Sequence, residues 1–126
     1  MACVYIDVNG LHELNNTKGH DAGDTMLKTV AQQIRNCFGA ESAYRIGGDE
    51  LILFVPDKPA ETVDRMCCQL AETLEKEKYY ISVGVQWEEN VTSFSALIRA
   101  AEKKMYMAKK TYYEKEVNNK RKEMRV

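Results

Sequence analysis

Apolar positions in this chain recur at two different spacings, and the switches between them lay out the elements. Residues 2–8 (Ala-Cys-Val-Tyr-Ile-Asp-Val) form a short apolar run of the kind that makes a strand buried on both faces, interrupted only by Asp7. A charge in such a run needs a reason. Asn9-Gly10 breaks the strand, and residues 11–15 suit a short helix or turn. From Asp21 the period becomes helical: Ala22, Met26, Leu27, Val30, Ala31, Ile34 and Phe38 fall three or four apart on one stripe, with Gly39 placed to end the helix.

Residues 44–55 come next, two apolar runs around Gly47-Gly48-Asp49-Glu50, and read as a hairpin carrying two acids at its bend. The paired glycines are expected to take the positive φ of a tight two-residue turn and to let a ligand approach the backbone closely. Taken alone, Gly-Gly-Asp is equally ordinary turn chemistry. After Pro56 and Pro59, residues 60–78 place Val63, Met66, Cys67, Leu70 and Leu74 on one helical face. Residues 79–87 alternate Ile81, Val83, Val85 and Trp87 with small or polar residues, the pattern of a strand with one packed face. Ser93 or Ser95 is placed to cap a last helix with Leu97, Ile98, Ala101, Met105 and Ala108 as its stripe. Residues 112–126 are polar and read as a frayed helical tail or a boundary.

The order strand, helix, strand, strand, helix, strand, helix predicts an α+β fold of the ferredoxin-like type, an antiparallel sheet with helices packed on it. That topology sets the first strand beside the central hairpin and so brings Asp7 to Asp49 and Glu50. Converging carboxylates repel one another, and a divalent cation relieves the repulsion. Hard oxygen ligands favour Mg²⁺ or Mn²⁺.

Composition narrows the classes further. A chain of 126 residues is expected to be a single domain over residues 1–126 with a sizeable core. Its 18 basic and 19 acidic residues leave a net charge of −1, which gives no electrostatic grip on long nucleic acid. The four cysteines lack C-x-x-C spacing, and Cys3, Cys37 and Cys67 sit at apolar positions, so buried reduced thiols and a cytoplasmic location are expected. No run approaches the roughly 20 apolar residues of a membrane span, and Met1-Ala2-Cys3 is not expected to act as a charged-then-apolar leader. Because the chain opens almost directly on the first strand, it is expected to be part of a longer polypeptide, whose other segments are free to carry a membrane anchor.

The Gly47-Gly48-Asp49-Glu50-Leu51 hairpin, preceded by Asp7-Val8-Asn9 and by Asn15-x-x-x-Gly19-His20-x-x-Gly23-Asp24, resembles the GGDEF domain of bacterial diguanylate cyclases. Lys109, in Met105-Tyr106-Met107-Ala108-Lys109, matches that family's closing helix. The resemblance implies a palm-type, nucleotide cyclase-like fold. It also implies condensation of two GTP molecules, one on each of two facing domains, into cyclic di-GMP with release of pyrophosphate. Asp7, the Val8 carbonyl and Asp49 would then hold Mg²⁺ or Mn²⁺. Glu50 would support the metals or help deprotonate the 3′-hydroxyl. Asn15 and Asp24 would read guanine, since a carboxylate accepts from its N1 and N2 hydrogens. Gly48 would leave room for the ribose and α-phosphate. Lys109 and the N–H groups of Gly10 and Leu11 would meet the terminal phosphates, while His20 would brace the substrate loop. An active homodimer and an upstream sensor or regulatory domain are the implied partners.

The sequence departs from that family pattern at several points. His12 stands where the family has a basic residue, and Tyr113 stands where it usually supplies an arginine or lysine for the triphosphate. The Arg-x-x-Asp motif of product inhibition would fall on Phe38 and Glu41 and is absent, so no feedback through that site is expected. A Leu-Thr-Gly-Leu-x-Asn-Arg type segment ahead of the first strand is also missing. These departures keep a second reading in play: a catalytically impaired GGDEF-like module for regulation, nucleotide binding or dimerisation.

Overall fold

The computed structural model describes residues 1–39 and 43–123, with side-chain surroundings to residue 118. The first apolar run is strand β1 (Ala2–Val8), and every residue of it is buried. Helices α1 (Leu11–Lys18) and α2 (His20–Phe38) follow, then strands β2 (Ala43–Arg45) and β3 (Glu50–Val55), helix α3 (Ala60–Glu75), strand β4 (Ile81–Trp87) and helix α4 (Phe94–Glu123). The sheet runs β2-β3-β1-β4 with every neighbouring pair antiparallel, the α+β arrangement expected from the sequence. A central position explains why β1 is apolar almost throughout, since helices cover both of its faces.

Alternation along β1 splits the interior in two. Ala2, Val4, Ile6 and Val8 enter one core with Met26, Val30 and Ile34 of α2 and Val63, Cys67, Leu70 and Leu74 of α3. Cys3 and Tyr5 enter the other, with Ile52 of β3 and Leu97, Ala101 and Met105 of α4. Asp7 continues the second series, so its side chain lies on the α4 face of the sheet.

Helix α4 sits closer to the sheet than the alternation of β4 predicts. Ser82 and Gly84, read from the sequence as the open face of β4, are both buried. A Cβ on Gly84 would overlap the carbonyl oxygen of Ala101 and the nitrogen of Met105, so the missing side chain is what lets α4 lie on the strand. Both faces of β4 are therefore packed. The helix also runs on unbroken through the stretch read as a tail, to Glu123, and Tyr112 packs a tilted ring on Tyr80 at 5.9 Å.

Helix ends follow the sequence in part. Gly39 closes α2, its N–H donating to the Arg35 carbonyl at 2.9 Å. Ser93 rather than Ser95 caps α4, with its Oγ accepting from the Ala96 N–H at 3.2 Å. Helix α1 extends three residues beyond the expected Asn15, to Lys18, and α3 stops at Glu75, three short of the expected 78.

Candidate active site

The register between β1 and β3 builds the site. Asp7 lies directly opposite Glu50, and the N–H of Val8 donates to the Asp49 carbonyl at 2.8 Å. Opposed residues in an antiparallel pair project to the same face, and a slip of one residue would send Asp7 to the other side of the sheet. One carboxylate oxygen from each of Asp7, Asp49 and Glu50 lies within 4.8 Å of the other two. The three acids expected to converge do so, on the edge where β3 begins.

Asp7 is 1% exposed, and its Oδ2 accepts from the Nζ of Lys109 at 3.0 Å. Its Oδ1 is buried with no partner. Burial pushes the Asp7 carboxyl above the ordinary carboxylate range against the pull of Lys109, and the charges of Asp49 and Glu50 push the same way. Lys109 is in turn held above its ordinary value by its hydrogen bond to Asp7. Among the described residues, the buried side-chain atoms lacking a hydrogen-bond partner are Oδ1 of Asp7, Nδ2 of Asn9 and Oδ1 of Asn15. Buried polar groups are nearly always satisfied. All three exceptions fall within residues 7–15, from the end of β1 into α1. An oxygen-rich cluster with an unused buried carboxylate oxygen suits a hard divalent cation.

The connection between β2 and β3 differs from the tight turn expected of it. Residues 46–49 make a four-residue link, and neither Gly47 nor Gly48 takes positive φ. Arg45 holds the link instead, its Nε donating to the Gly47 carbonyl at 3.0 Å and Nη2 to that of Gly48 at 2.8 Å. A Cβ on either glycine would meet nothing within 4 Å. Neither backbone strain nor internal packing thus demands glycine there, and Gly48 faces open space beside the acids.

The expected base-reading pair straddles two helices. Asn15 is half-buried on α1 and Asp24 exposed on α2. Their link is Gly23, buried in α2, where a Cβ would overlap Oδ1 of Asn15. The sequence motif contained Gly23, but its use as a seat for the Asn15 amide shows only in the packing. His20 is exposed at the first position of α2 and His12 is exposed on α1, whereas the Leu11 side chain belongs to the core.

Gly10 takes φ of 76°, a left-handed conformation that suits glycine, and its carbonyl starts α1 by accepting from the Leu14 N–H at 2.9 Å. Its own N–H points to the Tyr113 hydroxyl at 3.4 Å. Gly10, Glu13, Tyr112 and Tyr113 help line a cavity of about 170 Å³, below the size of pockets that take a drug-sized ligand. Phe38 ends α2, and Glu41, its counterpart in the absent product-inhibition motif, lies outside the described residues.

Residues 1–115 match the family model described as diguanylate cyclase, GGDEF domain. The chain belongs to the GGDEF family. Diguanylate cyclase A of Treponema denticola is 27% identical over 120 residues, covering 86% of this chain and 32% of that protein. A cyclic di-GMP phosphodiesterase, PdeB of Shewanella oneidensis, is 38% identical over 71 residues, covering 56% of this chain and 8% of that protein. This GGDEF domain thus spans about a third or less of the length of those curated relatives. In fold it is similar to the GGDEF domain of DgcB from Caulobacter crescentus, solved in complex with c-di-GMP. The TM-score is 0.80 at 20% identity, covering 87% of this chain and 72% of that one. No helix among the described residues of this GGDEF domain is long and apolar enough to cross a membrane.

Two residues that sequence reasoning did not single out meet the site. The hydroxyl of Tyr5 lies 2.7 Å from Oε2 of Glu50 and 2.9 Å from Oε2 of Glu102 on α4. Burial, then both carboxylates, push the Tyr5 phenol far above its ordinary range, so the proton stays on the phenol oxygen.

Proposed function

We propose that this domain is the catalytic half-site of a diguanylate cyclase, in which two copies, each holding one GTP, form cyclic di-GMP. The observation that carries the reading is the convergence of Asp7, Asp49 and Glu50 within 4.8 Å, with Oδ1 of Asp7 buried and unpartnered. Asp7, Asp49 and the Val8 carbonyl would hold Mg²⁺ or Mn²⁺, and such ions supply charge stabilisation for both the attacking and leaving oxygens of an in-line displacement. In each of two steps the 3′-oxygen of one nucleotide bonds to the α-phosphorus of the other, and the bond to pyrophosphate breaks. Glu50, beside Asp49, would support the cation or take the 3′-hydroxyl proton. Asn15 and Asp24 would orient guanine, and Gly48 would admit the ribose and α-phosphate. Lys109 would leave Asp7 for the terminal phosphates, where the Gly10 and Leu11 N–H groups can also donate. His20 would brace the loop that joins α1 to α2.

The test is a homodimer enforced by a fused coiled coil, supplied with GTP and Mg²⁺. Cyclic di-GMP is the expected product; a dimer that binds GTP and forms none refutes the enzymatic reading. That outcome would favour a catalytically impaired module for nucleotide binding, dimerisation or regulation. The observation on its side is the Tyr113 hydroxyl set against the Gly10 N–H, an uncharged group on the amide that a phosphate would need.

A further inference from the structure

We infer that the Tyr5 hydroxyl positions the Glu50 carboxylate for the cation, with Glu102 acting through that hydroxyl as a competing acceptor of its one proton; the inference rests on the cation-site reading above. Tyr5 is 3% exposed and packed in the α4-side core, so its ring is held from all sides. Its hydroxyl has one proton to donate and faces two carboxylate oxygens, Oε2 of Glu50 at 2.7 Å and Oε2 of Glu102 at 2.9 Å. The proton serves one acceptor at a time: given to Glu50, at the shorter distance, it holds one oxygen of that carboxylate, and Glu102 on α4 is the rival acceptor that draws it away. Fixing Oε2 fixes the plane of that carboxylate and therefore the direction in which Oε1 points.

Glu102 keeps its place beside the hydroxyl because α4 is fixed. Ala101, next to Glu102, has its carbonyl against the backbone of Gly84, which fixes the helix on the sheet. Lys109 stands seven positions after Glu102, two turns on and on the same stripe. Helix α4 thus acts on both opposed acids: Lys109 meets Asp7 directly, and Glu102 competes with Glu50 through Tyr5. Partners of this kind, one step behind a metal ligand, commonly change metal affinity by about 10–100-fold when removed.

The experiment measures Mn²⁺ affinity by the electron paramagnetic resonance signal of the free ion, without nucleotide, and melting temperature alongside. Tyr5→Phe keeps the ring in the core and should weaken Mn²⁺ binding about tenfold. Glu102→Ala alters only a half-buried helix residue, leaves the Tyr5 proton to Glu50 alone and should tighten Mn²⁺ binding several-fold, and Glu102→Gln, whose amide can donate to the phenol oxygen, should tighten it at least as much. Added to Tyr5→Phe, Glu102→Ala should have no further effect, since the path between them is already cut. Unchanged affinity in Tyr5→Phe overturns the inference. So does weaker binding in the Ala and Gln variants, or an additive double variant, either of which reduces Glu102 to its charge. A wild-type chain that binds no Mn²⁺ removes the cation site itself and the inference with it.

Discussion

The ammonium of Lys109 pairs with one oxygen of the Asp7 carboxylate at 3.0 Å and leaves the other buried and unmet. The pair is half of an arrangement. A buried aspartate near the end of the inner strand β1 carries a desolvation penalty that one lysine does not cancel, which is why burial dominates and the carboxyl stays above its ordinary range. A fold retains such a group at some expense in stability, as sites that bind charge commonly do.

Asp7→Asn should separate that expense from its use. Because the folded carboxyl is raised, its contribution to stability is fully present below the ordinary carboxylate pKa of about 4 and is lost as pH rises through the folded value. Asp49, Glu50 and Lys109 are the charged groups that act on it. At neutral pH the uncharged amide removes the penalty, and Lys109, 31% exposed, can turn to water. The expected gain is about 1 kcal/mol, or ~4 °C in melting temperature, shrinking as pH falls towards 4. Calorimetric titration of the same variant should show Mn²⁺ binding lost. A variant less stable at neutral pH would mean that the ion pair outweighs the burial.

Tyr113 sets the phosphate end. Its neutral hydroxyl rests 3.4 Å from the Gly10 N–H, where an anionic oxygen would make a stronger, charge-assisted bond. Tyr113→Arg should tighten GTP binding about tenfold by adding a cation without the competing hydroxyl. Tyr113→Phe, which only frees the amide, should produce a smaller gain. Isothermal titration with GTP in Mg²⁺ checks both, and equal affinities in all three proteins would place Tyr113 outside the phosphate site.

Thiol chemistry offers a check on the two cores that is independent of nucleotide. All four cysteines are free, but burial pushes Cys3 up to about 11 and Cys67 up to about 12, and raises Cys37 as well. Cys68 is exposed. At pH 8 an alkylating reagent should therefore modify Cys68 alone within minutes, and all four after unfolding. Peptide mapping that finds Cys67 modified as fast as Cys68 would contradict the packing of α3 on the sheet.

What the sequence made legible was whatever its periodicity carries. Asp7 stood out because a charge interrupts an apolar strand, and the strand order then placed it by Asp49 and Glu50, as found. Glu102 and Tyr5 escaped notice for the opposite reason. In Ala101-Glu102-Lys103-Lys104 a glutamate looks like any solvated helix residue, and Tyr5 looks like one more aromatic in a buried run. Only the register and the seat of α4 bring them within reach of Glu50. The Gly47-Gly48 link differs from the tight turn its glycines suggest because local turn chemistry ignores Arg45, whose guanidinium holds the link from outside it. Gly84 was read as the small residue of an alternating strand, when its lack of a side chain is what admits α4.

Two glycine substitutions should separate site from scaffold. At Gly23 a new Cβ would overlap Oδ1 of Asn15, the far end of a side chain that can swing away. The gain in helix propensity, about 1 kcal/mol for Gly→Ala, offsets much of the rearrangement, so Gly23→Ala should melt within ~4 °C of the parent. Its displaced Asn15 should nevertheless lower the preference for GTP over ATP about tenfold, the worth of roughly one hydrogen bond to the base. At Gly84 the overlap is with backbone, the Ala101 carbonyl and the Met105 nitrogen, and no rotamer relieves it. Gly84→Ala must lift α4 from the sheet, at a cost of about 1–3 kcal/mol or more, and with the helix go Glu102 and Lys109. Melting curves and paired GTP and ATP titrations distinguish the two. Should Gly23→Ala lose stability while keeping its base preference, Asn15 would be a structural residue of the α1–α2 contact and not a reader of guanine.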